Sequence, residues 1–474
     1  MKNIKKITLI GLIFILALIM INISNISLTG ISQSLNLNIS KEFKNFLYKK
    51  VFVYQYNDLL RKNIRTLEEK IIEKNSTISE LVDRSKKIDF YQNYENLVKI
   101  KENNYQLIKF KTDHLVKSYP YGKSQSSTYI DIDEDKIWLL TAKGKFSFFE
   151  SSDLENKNFS SNVIETNLGD FVNLEEFYQD KSSYGVKDLL IKDKKIFVSF
   201  TNQVKKDCFN ISILSADLDY NKLFFNKIFQ PSDCVMKIDD DNNYHAIQSG
   251  GRIYFYDENQ FLLTQGEFRN RSLAQDKNSS FGKVLLIDLS KNSSEIVAMG
   301  LRNSQGMFYE KKSKFLFLTD HGPLGGDEIN LMKFDKNSKE IINFGWPVSS
   351  YGKHYHGKKY EDAPLHKSHI KYGFEEPIKY FKNSIAISEL TEISKNFSPF
   401  SDENINLVVS SMGDDITEGD LSLHFLSVGF DKKIKSYEVA HINKRIRDIK
   451  FLKNDNKLIM FLESGEIGIF KKVS

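Results

Sequence analysis

From Gly300 to Gly352 the chain reads G-L-R-N-S-Q-G (Gly300 to Gly306), L-T-D-H-G-P-L-G-G-D-E-I-N-L (Leu318 to Leu331) and N-F-G-W-P-V-S-S-Y-G (Asn343 to Gly352). This stretch holds one of the two Trp, seven of the 24 Gly and two of the 7 Pro. Glycine opens backbone conformations closed to other residues, and proline fixes one of them. Such a concentration marks turns and close backbone approaches rather than plain strand or helix.

On both sides of it the texture is short alternating runs between charged or Gly-containing turns. Ile130 to Ile132, Lys136 to Thr141 and Lys145 to Phe149 begin the series. Hairpin pairs follow at Val186 to Phe200 with Asn210 to Leu218, Arg252 to Thr264 with Lys283 to Leu289, and Gly306 to Thr319 with Glu328 to Phe334. Further pairs lie at Asn406 to Ser411 with Ser422 to Glu438 and within Ile446 to Phe470. The period is two, and helical periodicity is nearly absent from residue 125 to 474, so the region is expected to be all-β. There are too many strands for one sandwich. Radial repetition of four-stranded blades leaves the fewest exposed edges, and about sixty residues per unit predicts a six-bladed β-propeller.

Upstream the chain changes character. Ile7 to Ile21 is almost wholly apolar behind Lys2, Lys5 and Lys6, so residues 1–24 read as a transmembrane anchor with its lysines cytoplasmic, or else as a signal peptide. No small-x-small cleavage site follows, which favours an uncleaved anchor. The rest of the chain is then expected on the periplasmic, extracytoplasmic side of the inner membrane. Residues 25–120 read as a helical stalk: Leu60, Ile64, Leu67, Ile71, Ile78 and Leu81 form a three-four seam with Lys74 inside it, and the aromatic patch from Phe90 to Phe110 is taken as its continuation. Three heptads with a lysine in the seam are a weak basis for oligomerisation.

The formal charge of +5 comes from 67 Lys+Arg against 62 Asp+Glu, with lysines scattered through polar sequence. No basic stripe marks a nucleic-acid partner. Cys208 and Cys234 are the only cysteines, too few for a disulfide framework or a Cys-based zinc module. Whether they pair stays open. His354, His356, His366 and His369 raise the question of a metal site, but their K-K-Y-E-D surroundings read as a solvated loop.

The three runs quoted first, with R-I-R-D-I (Arg445 to Ile449) and S-I-A-x-S (Ser384 to Ser388), resemble the quinoprotein glucose/sorbosone dehydrogenases, the soluble PQQ-dependent aldose sugar dehydrogenases. The resemblance covers residues 125–474 and implies a propeller with a quinone and Ca²⁺ on its top face. It implies that Arg445 and Arg447 bind the carboxylates of PQQ, and that the carbonyls of Gly322 and Pro323 are calcium ligands. Arg302 and Asn303 would face the reacting quinone oxygen and the sugar. Asp327 is placed with the cofactor-binding residues, against the reading that it and Glu328 brace a turn.

The family's general base is a His just ahead of a Gly-Gly-Arg. Here Gly250-Gly251-Arg252 is intact but the matching position is Gln248, and an amide cannot accept a proton at ordinary pH. His245 substitutes only if its segment is a loop that folds back. Other departures are Gly413 or Asp414 where the family has a cofactor-facing Lys, Ile387 for a Pro, and a Gly-rich segment reduced to Tyr184 to Lys187. The implied function is oxidation of an aldose at its anomeric carbon, with electrons passed to a membrane or soluble acceptor. The alternative is a non-catalytic propeller that binds a saccharide or a protein.

Overall fold

The computed structural model describes residues 62–71, 87–112, 128–141, 144–172, 185–237, 246–357, 359–413 and 419–473. The chain divides into two compact units, Met1–Leu81 and Val82–Ser474. In the first, residues 62–71 are helical and carry Ile64, Leu67 and Ile71 exposed along one stripe, as the seam requires. The expected anchor at 1–24 and the remainder of the seam lie outside the described residues. No described helix is long and apolar enough to cross a membrane.

The second unit is all β. Six blades, each of four main antiparallel strands, begin with the inner strands Thr128–Asp133, Gly185–Lys192, Gly250–Asp257, Ser304–Glu310, Ile387–Glu392 and Ile446–Leu452, numbered here as blades 1 to 6; the first and last are joined edge to edge in one continuous sheet, so the described residues form five sheets. These inner strands neighbour one another in sequence order, and the last returns to the first, so the ring is closed as a propeller requires.

Each blade buries both faces. Leu262, Val284 and Leu286 of blade 3 pack on Leu316, Leu318 and Met332 of blade 4, and equivalent clusters fill the other five gaps between blades. A strand covered on both sides gains from apolar residues at every position. Hence Phe315–Asp320 reads F-L-F-L-T-D and is buried throughout.

One expectation fails in an informative way. The patch from Phe90 to Phe110 is not a continuation of the stalk helix but a hairpin, Lys87–Ile100 with Asn103–Lys111. Its second strand is the outer strand of blade 6, pairing Leu107 with Phe470 and Ile108 with Ile469. Its first strand runs on to the outer strand of blade 1, pairing Phe90 with Phe159. Tyr105 stacks on Phe470 at 4.8 Å and donates to the Phe397 carbonyl at 2.6 Å. The β-prone Tyr, Phe, Val and Ile of this segment outweigh the helical pattern ahead of it because they complete a sheet and cover two blade gaps.

Cys208 and Cys234 form a disulfide, which ties a strand of blade 2 to the segment that pairs with it.

The blades are joined at the centre by polar contacts from one inner strand to the next. Asp131 accepts from the Ile191 amide (2.5 Å), Asp188 from Ile253 (2.7 Å), and Asp448 from Ile130 (2.8 Å). From the second strands of blades 3 and 4, Thr264 and Thr319 donate to the inner-strand carbonyls of Ser304 and Ser388 in the next blade. In the middle stands Arg252. Its Nη1 lies 2.6 Å from Asp188, 2.6 Å from Glu389 and 3.2 Å from Asp448, and its Nε donates to the Gln305 carbonyl at 3.0 Å. Removing a buried cation strands the carboxylates it neutralised. Arg252→Ala is expected to lower the unfolding free energy by about 3–5 kcal/mol in a urea titration. Arg252→Lys is expected to recover only part of that, because a lysine cannot reproduce the planar fork.

Candidate active site

Strand ends place the functional side chains. Asp320 ends a strand of blade 4, and its two oxygens accept from the backbone amides of Arg302 (2.9 Å) and Asn303 (2.7 Å). Burial pushes this carboxyl up to about 8. The clamp shapes the turn that follows Gly300, whose φ of 71° and 2.2 Å clearance to Asn343 Oδ1 exclude a side chain.

Arg302 leaves this turn with its donors committed. Nη1 donates to the carbonyls of His321 (3.1 Å) and Gly322 (2.8 Å), and the guanidinium lies 5.4 Å from the Trp346 ring centre. With the amide of Gln248 oriented so that donors meet acceptors, Nη2 donates to its oxygen at 2.9 Å, and its nitrogen donates to Glu267 Oε1 at 2.7 Å. Glu267 is fully buried and its Oε2 has no partner among the described residues. Desolvation raises its carboxyl to about 7, against the pull of Arg302, Arg271 and Arg269.

From blade 6, Arg445 and Arg447 converge on Glu463, with Nε to carboxylate distances of 2.5 and 2.8 Å. Burial alone would raise Glu463, but the Arg447 and Arg445 charges overcome it and hold the group below its ordinary value. Arg447 also donates to the Gln305 side chain at 3.2 Å. His321 feels all three arginines: desolvation and the charges of Arg302, Arg447 and Arg445 press it down to about 3, and its buried Nε2 has no partner among the described residues. Lys187, donating to the Ala246 carbonyl at 3.1 Å, is lowered to about 7 by desolvation and by Arg447.

The geometry sorts the expected residues. Gln248 meets Arg302, as the motif placement requires. Residues 246–249 form a turn ahead of the strand, while His245 lies outside the described residues. Asn303 faces inward structurally, its Oδ1 accepting from the Gly250 amide at 3.0 Å. Asp327, placed above with the cofactor ligands, is fully buried and spends its oxygens on the amides of Gly322 (2.9 Å) and Ile387 (3.2 Å) and on Ser384. It braces the turn. Glu328 does not: it faces His369 Nε2 at 3.4 Å.

The carbonyls of Gly322 and Pro323 accept from Arg302 and from the Tyr355 hydroxyl (2.9 Å). Gly413 is closed in by Asp420, and Asp414 lies outside the described residues. The loop histidines form no ligand set: His354 meets the Ala363 carbonyl, His366 stacks on Tyr372, and His369 is buried against the Phe344 carbonyl. Among the described residues no group of three or more His, Cys, Asp or Glu is arranged to hold a metal ion.

The family model described as Glucose / Sorbosone dehydrogenase matches residues 185–471. The chain belongs to that family. It is 32% identical over 192 residues to the aldose sugar dehydrogenase YliI of Escherichia coli, covering 36% of this chain and 49% of the relative. It is 28% identical over 165 residues to an uncharacterized protein of Synechocystis, covering 30% and 38%. These matches span about half of the curated relatives' length or less.

Among solved structures, the soluble aldose sugar dehydrogenase of E. coli in its apo form superposes with a TM-score of 0.56 at 20% identity, over 74% of this chain and 96% of that one. A PQQ-bound aldose sugar dehydrogenase from Streptomyces coelicolor gives 0.52 at 14% identity, over 80% and 99%. At such identities the likeness is one of fold.

The sequence reading did not single out Glu267, Glu463 or Lys187, nor Gln305 within the G-L-R-N-S-Q-G run. The legible signal was an acid at the exit of a strand, in T-Q-G-E-F and in F-L-E-S-G, at the end of the blade where the arginines gather.

The raised Glu267 carboxyl carries a pH signature. A group whose folded-state value exceeds its unfolded one contributes stability that is fully present below the unfolded value and lost as pH rises through the folded value. Between about pH 4.5 and 7, the two values for this group, Glu267 is therefore expected to make the protein less stable as pH rises. Glu267→Gln should flatten that part of the curve in urea titrations at stepped pH. An unchanged slope would place the Glu267 proton elsewhere.

Proposed function

We propose that this chain is a membrane-anchored, outward-facing PQQ-dependent dehydrogenase that oxidises a sugar at its anomeric carbon and passes the electrons to a separate acceptor. The observation that carries this reading is the pairing of Arg445 and Arg447 on Glu463, with these two and Arg302 near enough to depress His321, whose buried Nε2 has no partner among the described residues. Guanidiniums suit carboxylates, and a neutral imidazole nitrogen without a hydrogen-bond partner among the described residues offers an anionic group one more contact. These residues fit a quinone bearing carboxylates. Arg445 and Arg447 would hold it, and when bound it supplies the two-electron acceptor for the anomeric hydride.

Calcium is different. Both carbonyls expected to ligate it are already hydrogen-bonded, one of them by a guanidinium 2.8 Å away whose charge opposes a divalent cation. As arranged here, these two carbonyls do not fit a calcium seat.

The chain's own residues must bind the sugar and take the proton of its anomeric hydroxyl. Arg302, immobilised by four contacts, is fixed to stabilise negative charge at the reacting oxygen. Gln248 orients but cannot accept. Glu267 Oε2 is the atom assigned the proton: it is unpartnered, its carboxyl is poised near neutrality, and it is bonded through Oε1 to Gln248. The extracytoplasmic location is supported by the Cys208–Cys234 disulfide, a bond that persists in oxidising compartments. It is also supported by the apolar, lysine-flanked N-terminal run.

One observation favours a second reading, a non-catalytic saccharide- or protein-binding propeller. Gln248 satisfies Glu267 and Arg302 at once, a stable arrangement that leaves no base at the family's position.

The full chain in detergent, titrated with PQQ, is expected to show the absorbance of bound quinone, lost in Arg445→Ala/Arg447→Ala, and dye reduction with a panel of aldoses. Gln248→His should raise turnover by about 10²-fold or more, and Glu267→Gln should lower it by a similar factor. Quinone binding without turnover in the wild type, restored by Gln248→His, selects the binding module. No spectral change at saturating quinone removes the dehydrogenase reading.

A further inference from the structure

Beside Arg302 the loop after blade 3's second strand brings two more arginines, Arg269 and Arg271, to a cleft that Pro323, Trp346 and Tyr360 also line. Among the described residues no Asp or Glu side chain lines this cleft. Arg302 is spent on Gln248 and two carbonyls. Arg269 and Arg271 are not: neither guanidinium has a hydrogen-bond or ion-pair partner among the described residues, and Arg271 only overlies the Tyr360 ring at 4.5 Å. Buried Glu267, behind them, can balance one positive charge of the three.

The loop holds this display at a conformational expense. Phe268 and Arg269 both adopt left-handed backbone, with φ of 49° and 69°, which non-glycine residues resist. Phe268 pins the kink: its side chain is fully buried edge-on to Phe281 at 5.4 Å, and its amide donates to the Gln248 carbonyl at 2.9 Å. A side chain presented by strained backbone into a cleft, charged and without a partner, has the features of a ligand clamp.

We propose that this cleft selects an anionic sugar, one carrying a carboxylate or a phosphate, with Arg269 and Arg271 gripping the anion. A guanidinium pair matches the two-oxygen face of either group. A neutral aldose would leave both guanidiniums unpaired. The sugar class rests on the dehydrogenase reading above, but the selectivity is tested by binding alone, so loss of turnover and loss of selectivity are separate results.

Trp346 lines the cleft, whereas Trp138, the chain's other Trp, is sealed in the blade 1 core and gives a constant background. Glucose, glucuronate and glucose 6-phosphate are titrated into the full chain at low salt, with and without PQQ, following tryptophan emission. At least one anionic sugar is expected to bind tenfold or more tighter than glucose, weakening as salt rises, and the stronger of the two identifies carboxylate or phosphate as the recognised group. Arg269→Gln/Arg271→Gln is expected to erase the preference, and Arg271→Gln alone, which leaves the strained position untouched, to reduce it. Equal binding of glucose in both quinone states overturns the proposal. So does an unchanged preference in a double variant that melts like the wild type, or a double variant that loses PQQ but not the sugar preference, which would make the cleft part of the quinone seat.

Discussion

Arg252 holds the centre of the molecule. It belongs to blade 3, its guanidinium meets carboxylates from blades 2, 5 and 6 and a backbone carbonyl of blade 4, and it lies 5.7 Å from the ring of Tyr129 in blade 1. One cation thus touches every other blade. Each carboxylate around it has a second task. Asp188 and Asp448 take amides of blades 3 and 1, and Glu389 takes the Met307 amide of blade 4. The inner strands are parallel neighbours without a hydrogen-bond ladder between them, so these side chains carry the polar contacts that a ladder would otherwise supply. Their burial is severe enough to push Asp188 up to about 6 and Glu389 up to about 8, which Arg252 and Lys450 oppose. A closed ring of this kind fails cooperatively, because losing the shared cation leaves several desolvated carboxylates at once.

The functional end of the ring inherits its geometry from that hub. Lys187 precedes Asp188 and Arg447 precedes Asp448, so on two blades a cation of the site and an anion of the hub are adjacent in sequence. Gln305 connects the two levels, its backbone carbonyl on Arg252 and its side chain on Arg447. The site is accordingly basic over a hub rich in carboxylates, and the arginines are oriented by backbone carbonyls and buried acids before any ligand arrives. Such preorganisation is what electrostatic recognition of an anionic group requires.

How much of this was legible in the sequence follows from what kind of signal each feature leaves. Blade strands announce themselves because period-two runs with turn residues are a local pattern. Arg302, Arg445 and Arg447 were legible because Gly-rich and R-I-R motifs surround them. The closing hairpin was not: Phe90 to Phe110 follows a helical seam, and only its pairing with Glu466–Val473, more than 350 residues away, makes it a strand. Glu267 and Glu463 left weak traces because a lone acid after a strand is ordinary surface chemistry until an arginine from another blade meets it. The Asp327 turn shows the converse. A motif can be dense in chemistry-bearing residues whose work is to hold Gly322 and Ile387 in place.

The Gln248 substitution separates two properties that a histidine combines. A neutral imidazole offers one N–H donor and one acceptor nitrogen, and Gln248 offers the same pair, donating to Glu267 and accepting from Arg302. Either residue can thus complete the hydrogen-bond circuit between Glu267 and Arg302. Basicity is what changes. With an amide in the circuit, protonation chemistry can reside only on its neighbours. Arg302 never gives up its proton, and Glu267, desolvated and with one oxygen unpartnered, is the neighbour whose charge state is adjustable near neutral pH. An anion gripped by Arg269 and Arg271 would draw their positive charge away from Glu267, raise its proton affinity further, and so couple occupancy of the cleft to the strength of the base.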